Sequence, residues 1–509
     1  MTAPPPCHHG IAKARGCSNI AVGKFSHLFP KLNPLVITED EAAAIGGPGG
    51  VMHDFDSSSA DSTVPVGYIF FAQFVDHDVT LDVSSALRPG PDSSQKTEVH
   101  KFVAEELGNV RSASLDLDCV YGFGPEGSPQ IYAGEHLAVA ANGIDLERSP
   151  SGIALIGDPR NDENIFIGQI HLAMHQLHNR IFDERVYQRD IAEKGWRRFE
   201  AAQRETRYHY QFVVLFDFLK RICDPSIFAF ATKKLCDPKA KFPLCYEADK
   251  HGKLPMPVEF STAAYRVGHT MVRDSYALNE RHREVQLFDE AFGTLGFTAL
   301  PEELAPDWRF LLAIDPCVTP HMSKAFDPAF ADELMNLPIV GSRNPNDRAL
   351  AFRNLMRASA LGVASGQDIA TQMKLKGYPL DVADLKLDDV HEWKRVGAVL
   401  HKSGKDLSKH TPLFYYLMRE SELVSGGTHY GPLGSALLME VFGGMLRLCN
   451  DSFLEPFVNG EWTPDACIAK PDATFEKDRL IGEQDYYPLD LGDLVRFAKR
   501  LDSAGRPAA

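Results

Sequence analysis

The chain has 509 residues, of which 44% are hydrophobic, 10% aromatic and 24% charged, a composition that excludes collagen-like, disordered and small disulfide-stapled classes. Its 53 Lys and Arg against 69 Asp and Glu give a formal charge of -16, so nucleic-acid phosphates and anionic lipid headgroups are poor partners for most of the surface. Nine cysteines are spread along the chain without a CxxC pair, and most read as free thiols.

At the N-terminus, Met1 to Arg15 carries prolines, Cys7 and His8-His9 where a secretory leader needs a continuous apolar stretch. No run of about 18 uninterrupted apolar residues occurs, so no membrane span is expected and the protein reads as soluble and, by default, cytoplasmic. Cys7-His8-His9 fits either a metal-binding cluster or a loose terminus. Residues 1–64 read as an N-terminal extension packing on one large domain, 65–502, with a flexible tail at 503–509. Within the domain, Ser84 to Lys96 with Arg88-Pro89-Gly90-Pro91 reads as a surface loop. Apolar residues at three- and four-residue steps predict helices over Ile165–Arg185, Arg198–Arg221, Asp347–Leu361 and Ser435–Leu448. Strand-like alternation is scarce, and long irregular connections run over Asp237–Pro257 and Asn279–Pro306.

The stretch Tyr68-Ile-Phe-Phe-Ala-Gln73-Phe-Val-Asp76-His77-Asp78-Val79 is an apolar helix-like run interrupted by four polar residues. In a helix Gln73, Asp76 and His77 share one face while Asp78 points about 100° away. A carboxylate and an imidazole buried there need partners, which implies a cofactor or ion; a partly exposed helix end whose acids meet water is the other reading. Next, Arg111-Ser112-Ala-Ser114-Leu-Asp116-Leu-Asp118-Cys-Val-Tyr121-Gly122 alternates oxygen-bearing with apolar residues. If extended, it places Ser112, Ser114, Asp116 and Asp118 on one side. Together with the outward Asp78 they fit the all-oxygen shell of a calcium site, though not an EF-hand, and an amphipathic strand with a polar solvent face fits the loop taken alone. His171, His175 and His178 recur along one predicted helix; without a matching acidic partner beyond Glu163 they read as packing or surface hydrogen-bonding residues rather than a metal site.

Taken in order, Gln73-x-x-Asp76-His77-Asp78, Ser-x-Ser-x-Asp-x-Asp-x-x-Tyr-Gly, Gly157-Asp158-x-Arg160-x-x-Glu163, His178-Asn179-Arg180, Arg266-x-Gly268-His269 and Arg353-Asn354-Leu355 resemble the animal haem peroxidase superfamily over about residues 65 to 450. The resemblance implies a mainly α-helical single domain with haem b between central helices. It makes His77 the distal histidine, Arg160 the distal arginine, Gln73 a distal-pocket residue, His269 the proximal iron ligand and Asn354 the partner of its other ring nitrogen. Asp76 and Glu163 match positions whose carboxylates form ester links to haem methyl groups in several members, and Asp78, Ser112, Ser114, Asp116 and Asp118 match the family's calcium positions. Arg266, three residues before His269, suits a haem propionate.

Two departures narrow the implied chemistry. Asn164 follows Glu163 where the strongest halide oxidisers of the family carry a methionine bonded to a haem vinyl group, so oxidation of bromide, iodide, thiocyanate or phenols is expected ahead of chloride. Arg266 also stands where the cyclooxygenase-like branch carries its radical tyrosine. The expected function is therefore a haem peroxidase that uses hydrogen peroxide to oxidise small organic or anionic donors. The competing readings are a haem-dependent fatty-acid dioxygenase and a haem- and calcium-binding interaction protein without turnover.

Overall fold

The computed structural model describes residues 23–55, 60–81, 103–185, 196–288, 294–338, 342–469, 478–480, 484–486, 488–502 and 505. Cys7-His8-His9, the Ser84–Lys96 loop and all of the 503–509 tail except Gly505 lie outside them.

Helices carry the fold, as the hydrophobic spacing predicts. Those of eight residues or more, numbered in chain order, are α1 (Glu39–Gly46), α2 (Gly67–Val79), α3 (Ile165–Arg180), α4 (Trp196–Val213), α5 (Pro225–Leu235), α6 (Leu350–Ala360), α7 (Gly366–Leu375), α8 (Leu413–Ser425), α9 (Pro432–Leu448) and α10 (Leu491–Lys499). Two of the predicted helices change pitch. α3 and α4 run on into π-helical turns at Ile181–Arg185 and Val214–Leu219, where one extra residue per turn shifts the side chains that follow onto a new face. The helix predicted from Asp347 is split, because Ala349 is extended (φ -80°, ψ 120°) between a short turn at Pro345–Arg348 and α6.

Strands are short ties. Gly23–Ser26 pairs antiparallel with Gly108–Asn109 and parallel with Met256–Pro257, pairings too small to stand without the helices around them. Near the N-terminus α1 lies against α6, and Glu259 accepts from the backbone of Leu28 at 3.0 Å. Residues on both sides of position 64 enter one contiguous hydrophobic core.

Helix α2 lies inside that core. Phe70, Phe71 and Phe74 are buried, and Phe70 stacks on Phe166 of α3 with ring centroids 4.2 Å apart. Each such ring stabilises the fold by roughly 1.5–3 kcal/mol, which offsets the burial of Asp76, His77 and Asp78 on the same helix. Opposite lies the 3₁₀ segment Ala264–Met271, fastened at its N-terminal end: Tyr265 donates to the carbonyl of Ala72 at 3.1 Å and Tyr430 donates to that of Ala264 at 2.9 Å. No helix among the described residues is long and apolar enough to cross a membrane.

Candidate active site

On α2, His77 is buried, and its Nδ1 lies 2.8 Å from Oδ1 of Asn161. That oxygen can only accept, so Nδ1 carries the proton and Nε2 keeps its lone pair. Burial, reinforced by the nearby Arg160 charge, pushes the imidazole down to about 4, so it is neutral near pH 7. Gln73 donates its amide to Glu163 and accepts from Asn164 at 3.2 Å, and burial pushes the Glu163 carboxyl up to about 7. Asn164 also caps α3, its side chain accepting from the backbone of Ile167 at 3.0 Å. A side chain that holds the first turn of a helix occupies the position where the methionine would stand.

Arg160 comes from the 3₁₀ turn Pro159–Asp162. Its Nε and Nη2 grip Asp158 at 3.1 and 2.7 Å, and Nη2 also donates to the carbonyls of His77 and Thr80 at 3.1 and 2.8 Å. The guanidinium is thereby fixed against the end of α2 beside His77. Burial disfavours ionisation of Asp158, yet hydrogen bonding and charge from Arg160, with Arg111 behind it, hold its carboxyl well below the usual range. Arg111 in turn reaches Asp158 at 2.5 Å through Nη2 and Asp118 at 3.2 Å through Nη1.

Asp118 belongs to a cluster with Asp78 and Asp116 in which one carboxylate oxygen from each lies within 4.8 Å of the others. Ser112 and Ser114 donate to Asp116 at 2.6 and 2.9 Å. Burial alternates from Arg111 to Leu115 as an extended segment predicts; the chain then turns through a left-handed residue, Leu117 (φ 61°), which brings Asp118 back toward Asp116. Asp78 is fully buried, with Oδ2 accepting from Leu117 N at 3.2 Å and from Tyr210 at 3.1 Å, while Oδ1 has no hydrogen-bond partner. Burial and the Asp116 charge push Asp78 up to about 7, and burial raises Asp118 as well. Three crowded carboxyls with an orphaned oxygen make a donor set that could hold a hard cation.

Across from α2, Arg266 and His269 are three residues apart in a 3₁₀ segment and so share one face. Arg266 pairs with Asp76 at 2.9 Å, which joins the two elements where the sequence suggests a propionate partner and an ester carboxylate. His269 Nδ1 lies 3.1 Å from Nδ2 of Asn354; a half-turn of that amide puts its carbonyl there as acceptor. Burial and the Arg266 charge push His269 down to about 3, keeping a lone pair for a metal. A Cβ built on Gly268 meets no atom within 4 Å, so the backbone beside His269 borders open space of the kind a flat macrocycle fills. The residues present therefore fit haem. Next to them lies an apolar cavity of about 20 Å³ against Ile69, Ala72, Tyr265, Gly268 and Tyr430.

Asn161 and the Arg111–Asp158 bridge are absent from the sequence reading. Asn161 lies between two residues the resemblance picks out, but its partner is 84 positions away, and no periodicity reports such a contact. His171, His175 and His178 are fully buried.

A family model described as animal haem peroxidase matches residues 109–376; the chain belongs to that family, whose members are built around haem. Among curated proteins no sequence matches. Solved structures similar to this one include peroxidase A of Dictyostelium discoideum, 15% identical, with a TM-score of 0.57 over 88% of this chain and 91% of that one. The fatty acid alpha-dioxygenase of Oryza sativa with palmitic acid is 15% identical, with a TM-score of 0.56 over 82% of this chain and 75% of that one. The fatty acid alpha-dioxygenase of Arabidopsis thaliana is 14% identical, with a TM-score of 0.52 over 85% and 78%. At such identity the likeness establishes the fold, mainly α-helical and shared by peroxidases and dioxygenases.

Proposed function

We propose that this protein is a haem-dependent peroxidase that uses hydrogen peroxide to oxidise small organic or anionic donors. The observation that carries the reading is the His77–Asn161 hydrogen bond, which leaves Nε2 of a buried, neutral imidazole free to take a proton. Haem, when bound, supplies the redox chemistry with peroxide.

His269 offers Nε2 as the iron ligand, and Asn354 orients it from the other ring nitrogen. Gly268 leaves room for the macrocycle, Arg266 offers a cation to a propionate, and Asp76 and Glu163 offer carboxylates at the ester positions. His77 takes the proton from one peroxide oxygen at Nε2 and returns it to the departing one. Arg160, held by Asp158, places a positive charge that cannot be lost beside that transfer, in the manner of an oxyanion hole. Gln73, tied to Glu163 and Asn164, lines the same side. Asp78, Ser112, Ser114, Asp116 and Asp118 hold calcium, which neutralises Asp78 and so fixes the end of the helix that carries His77. With Asn164 in place of methionine, bromide, iodide, thiocyanate and phenols are the expected donors.

A second reading, fatty-acid dioxygenation, draws on the apolar cavity beside Tyr265 and Gly268. Against it, Arg266 stands where the cyclooxygenase-like branch carries its radical tyrosine. The peroxidase reading is favoured. Stopped-flow absorbance with peroxide, comparing wild type and His77→Ala, tests it: the variant is expected to keep haem and lose reactivity by roughly 10²–10⁴-fold. Equal rates overturn the role of His77, and oxygen uptake with a fatty acid in the absence of peroxide supports the dioxygenase instead.

A further inference from the structure

Behind His77 a line of buried polar side chains crosses from α2 into α3. His77 Nδ1 meets Asn161 Oδ1 at 2.8 Å, Asn161 Nδ2 meets His171 Nδ1 at 3.0 Å, His171 Nε2 meets His175 Nε2 at 3.0 Å, and His175 Nδ1 meets the backbone carbonyl of Ala138 at 2.9 Å. Asn161, His171 and His175 are each fully buried. Burial pushes His175 down to about 4 and lowers His171 as well, so both rings are neutral and each has one donor and one acceptor nitrogen.

A carbonyl can only accept, and this fixes the whole line. Ala138 makes His175 Nδ1 the donor, which leaves His175 Nε2 as acceptor. His171 must then donate from Nε2 and accept at Nδ1. Asn161 must present its NH₂ to His171 and its carbonyl to His77. His77 is left as the Nδ1–H tautomer. Reversing any one link sets two donors or two lone pairs face to face in the dry interior, at a cost of about 1–3 kcal/mol for each group left unsatisfied.

We propose that His171 and His175 are positioning residues that, through Asn161, lock His77 in the tautomer whose Nε2 is unprotonated, with the backbone carbonyl of Ala138 setting the direction of the line. The inference takes its meaning for the reaction from the peroxidase reading, but the tautomer can be observed whether or not peroxide reacts.

The test is long-range ¹H–¹⁵N correlation on histidine-labelled, diamagnetic ferrous carbon-monoxide holoprotein, combined with the second-order rate constant for peroxide. Wild type is expected to show Nδ1–H at His77, Nε2–H at His171 and Nδ1–H at His175; Nε2–H at His77 overturns the proposal without any variant. His171→Met cuts the line and frees the Asn161 amide to turn, so a mixed His77 tautomer is expected, with a peroxide rate reduced in proportion to the lost Nδ1–H fraction. His171→Gln can accept from Asn161 and donate to His175, and is expected to restore both. If His171→Met lowers the melting temperature while the His77 tautomer stays wholly Nδ1–H, the histidines serve packing alone and the proposal fails. A wild type with the stated tautomers but no peroxide reaction upholds the lock and overturns the peroxidase reading instead.

Discussion

Asp118 and Asp158 are joined by a single guanidinium: Arg111 reaches the first from Nη1 at 3.2 Å and the second from Nη2 at 2.5 Å. Asp158 is the residue that grips Arg160, so the acidic cluster and Arg160 share one rigid connection. Arg111→Met leaves Asp118 and Asp158 short of a buried partner, and the expected loss of stability is about 3–5 kcal/mol, read from denaturant unfolding. Peroxide reactivity is expected to fall roughly tenfold as Arg160 loosens. A destabilised variant with an undiminished rate would show that Arg111 supports the fold alone.

Chelation of calcium is expected to change both the haem absorbance and the melting temperature, because Asp78 adjoins His77 on α2 and has an oxygen without a hydrogen-bond partner. Asp78→Asn should abolish the response to chelator. Elemental analysis showing no calcium in the purified protein, or a spectrum indifferent to its complete removal, would refute this coupling.

Asn354→Leu removes the partner of His269 Nδ1. A proximal imidazole without that hydrogen bond is a poorer donor to ferric iron, so the midpoint potential is expected to rise by tens of millivolts in spectroelectrochemical titration. An unchanged potential would mean that Asn354 does not tune the ligand.

Glu420 accepts from the backbone of Leu433 and Gly434 at 3.0 and 3.4 Å, and burial pushes its carboxyl up from 4.5 to about 8. An acid whose affinity for a proton rises on folding contributes its full stability below about pH 4.5, and that contribution is lost as pH climbs toward 8. Glu420→Gln keeps an acceptor for the start of α9 and removes the titration. Its stability relative to wild type is expected to improve steadily as pH rises from about 5 to about 8, by about 1.4 kcal/mol per pH unit. A difference flat across that range would show that Glu420 is already ionised in the folded protein.

The helices were legible because apolar spacing is a local property: Ser435–Leu448 lies within α9, and Ile165–Arg185 spans α3 and its π-helical turn. The motif residues could be picked out, but not what joins them. Arg111 opens the Ser-x-Ser-x-Asp-x-Asp stretch, yet its partner Asp158 is 47 positions on. His171 and His175 carry helical spacing that any packed helix would show, and only the arrival of Asn161 and the Ala138 carbonyl from other elements turns them into a directed line. The Arg266–Asp76 pair is likewise a contact between segments 190 residues apart, visible only once Tyr265 has anchored one to the other.

Asn164 answers to two masters, the opening turn of α3 and the amide of Gln73. Replacing it with a thioether would unfasten a helix start, at about 1 kcal/mol, before any bond to a prosthetic group could compensate. The same side chain that closes one end of the pocket thus also sets where α3 begins.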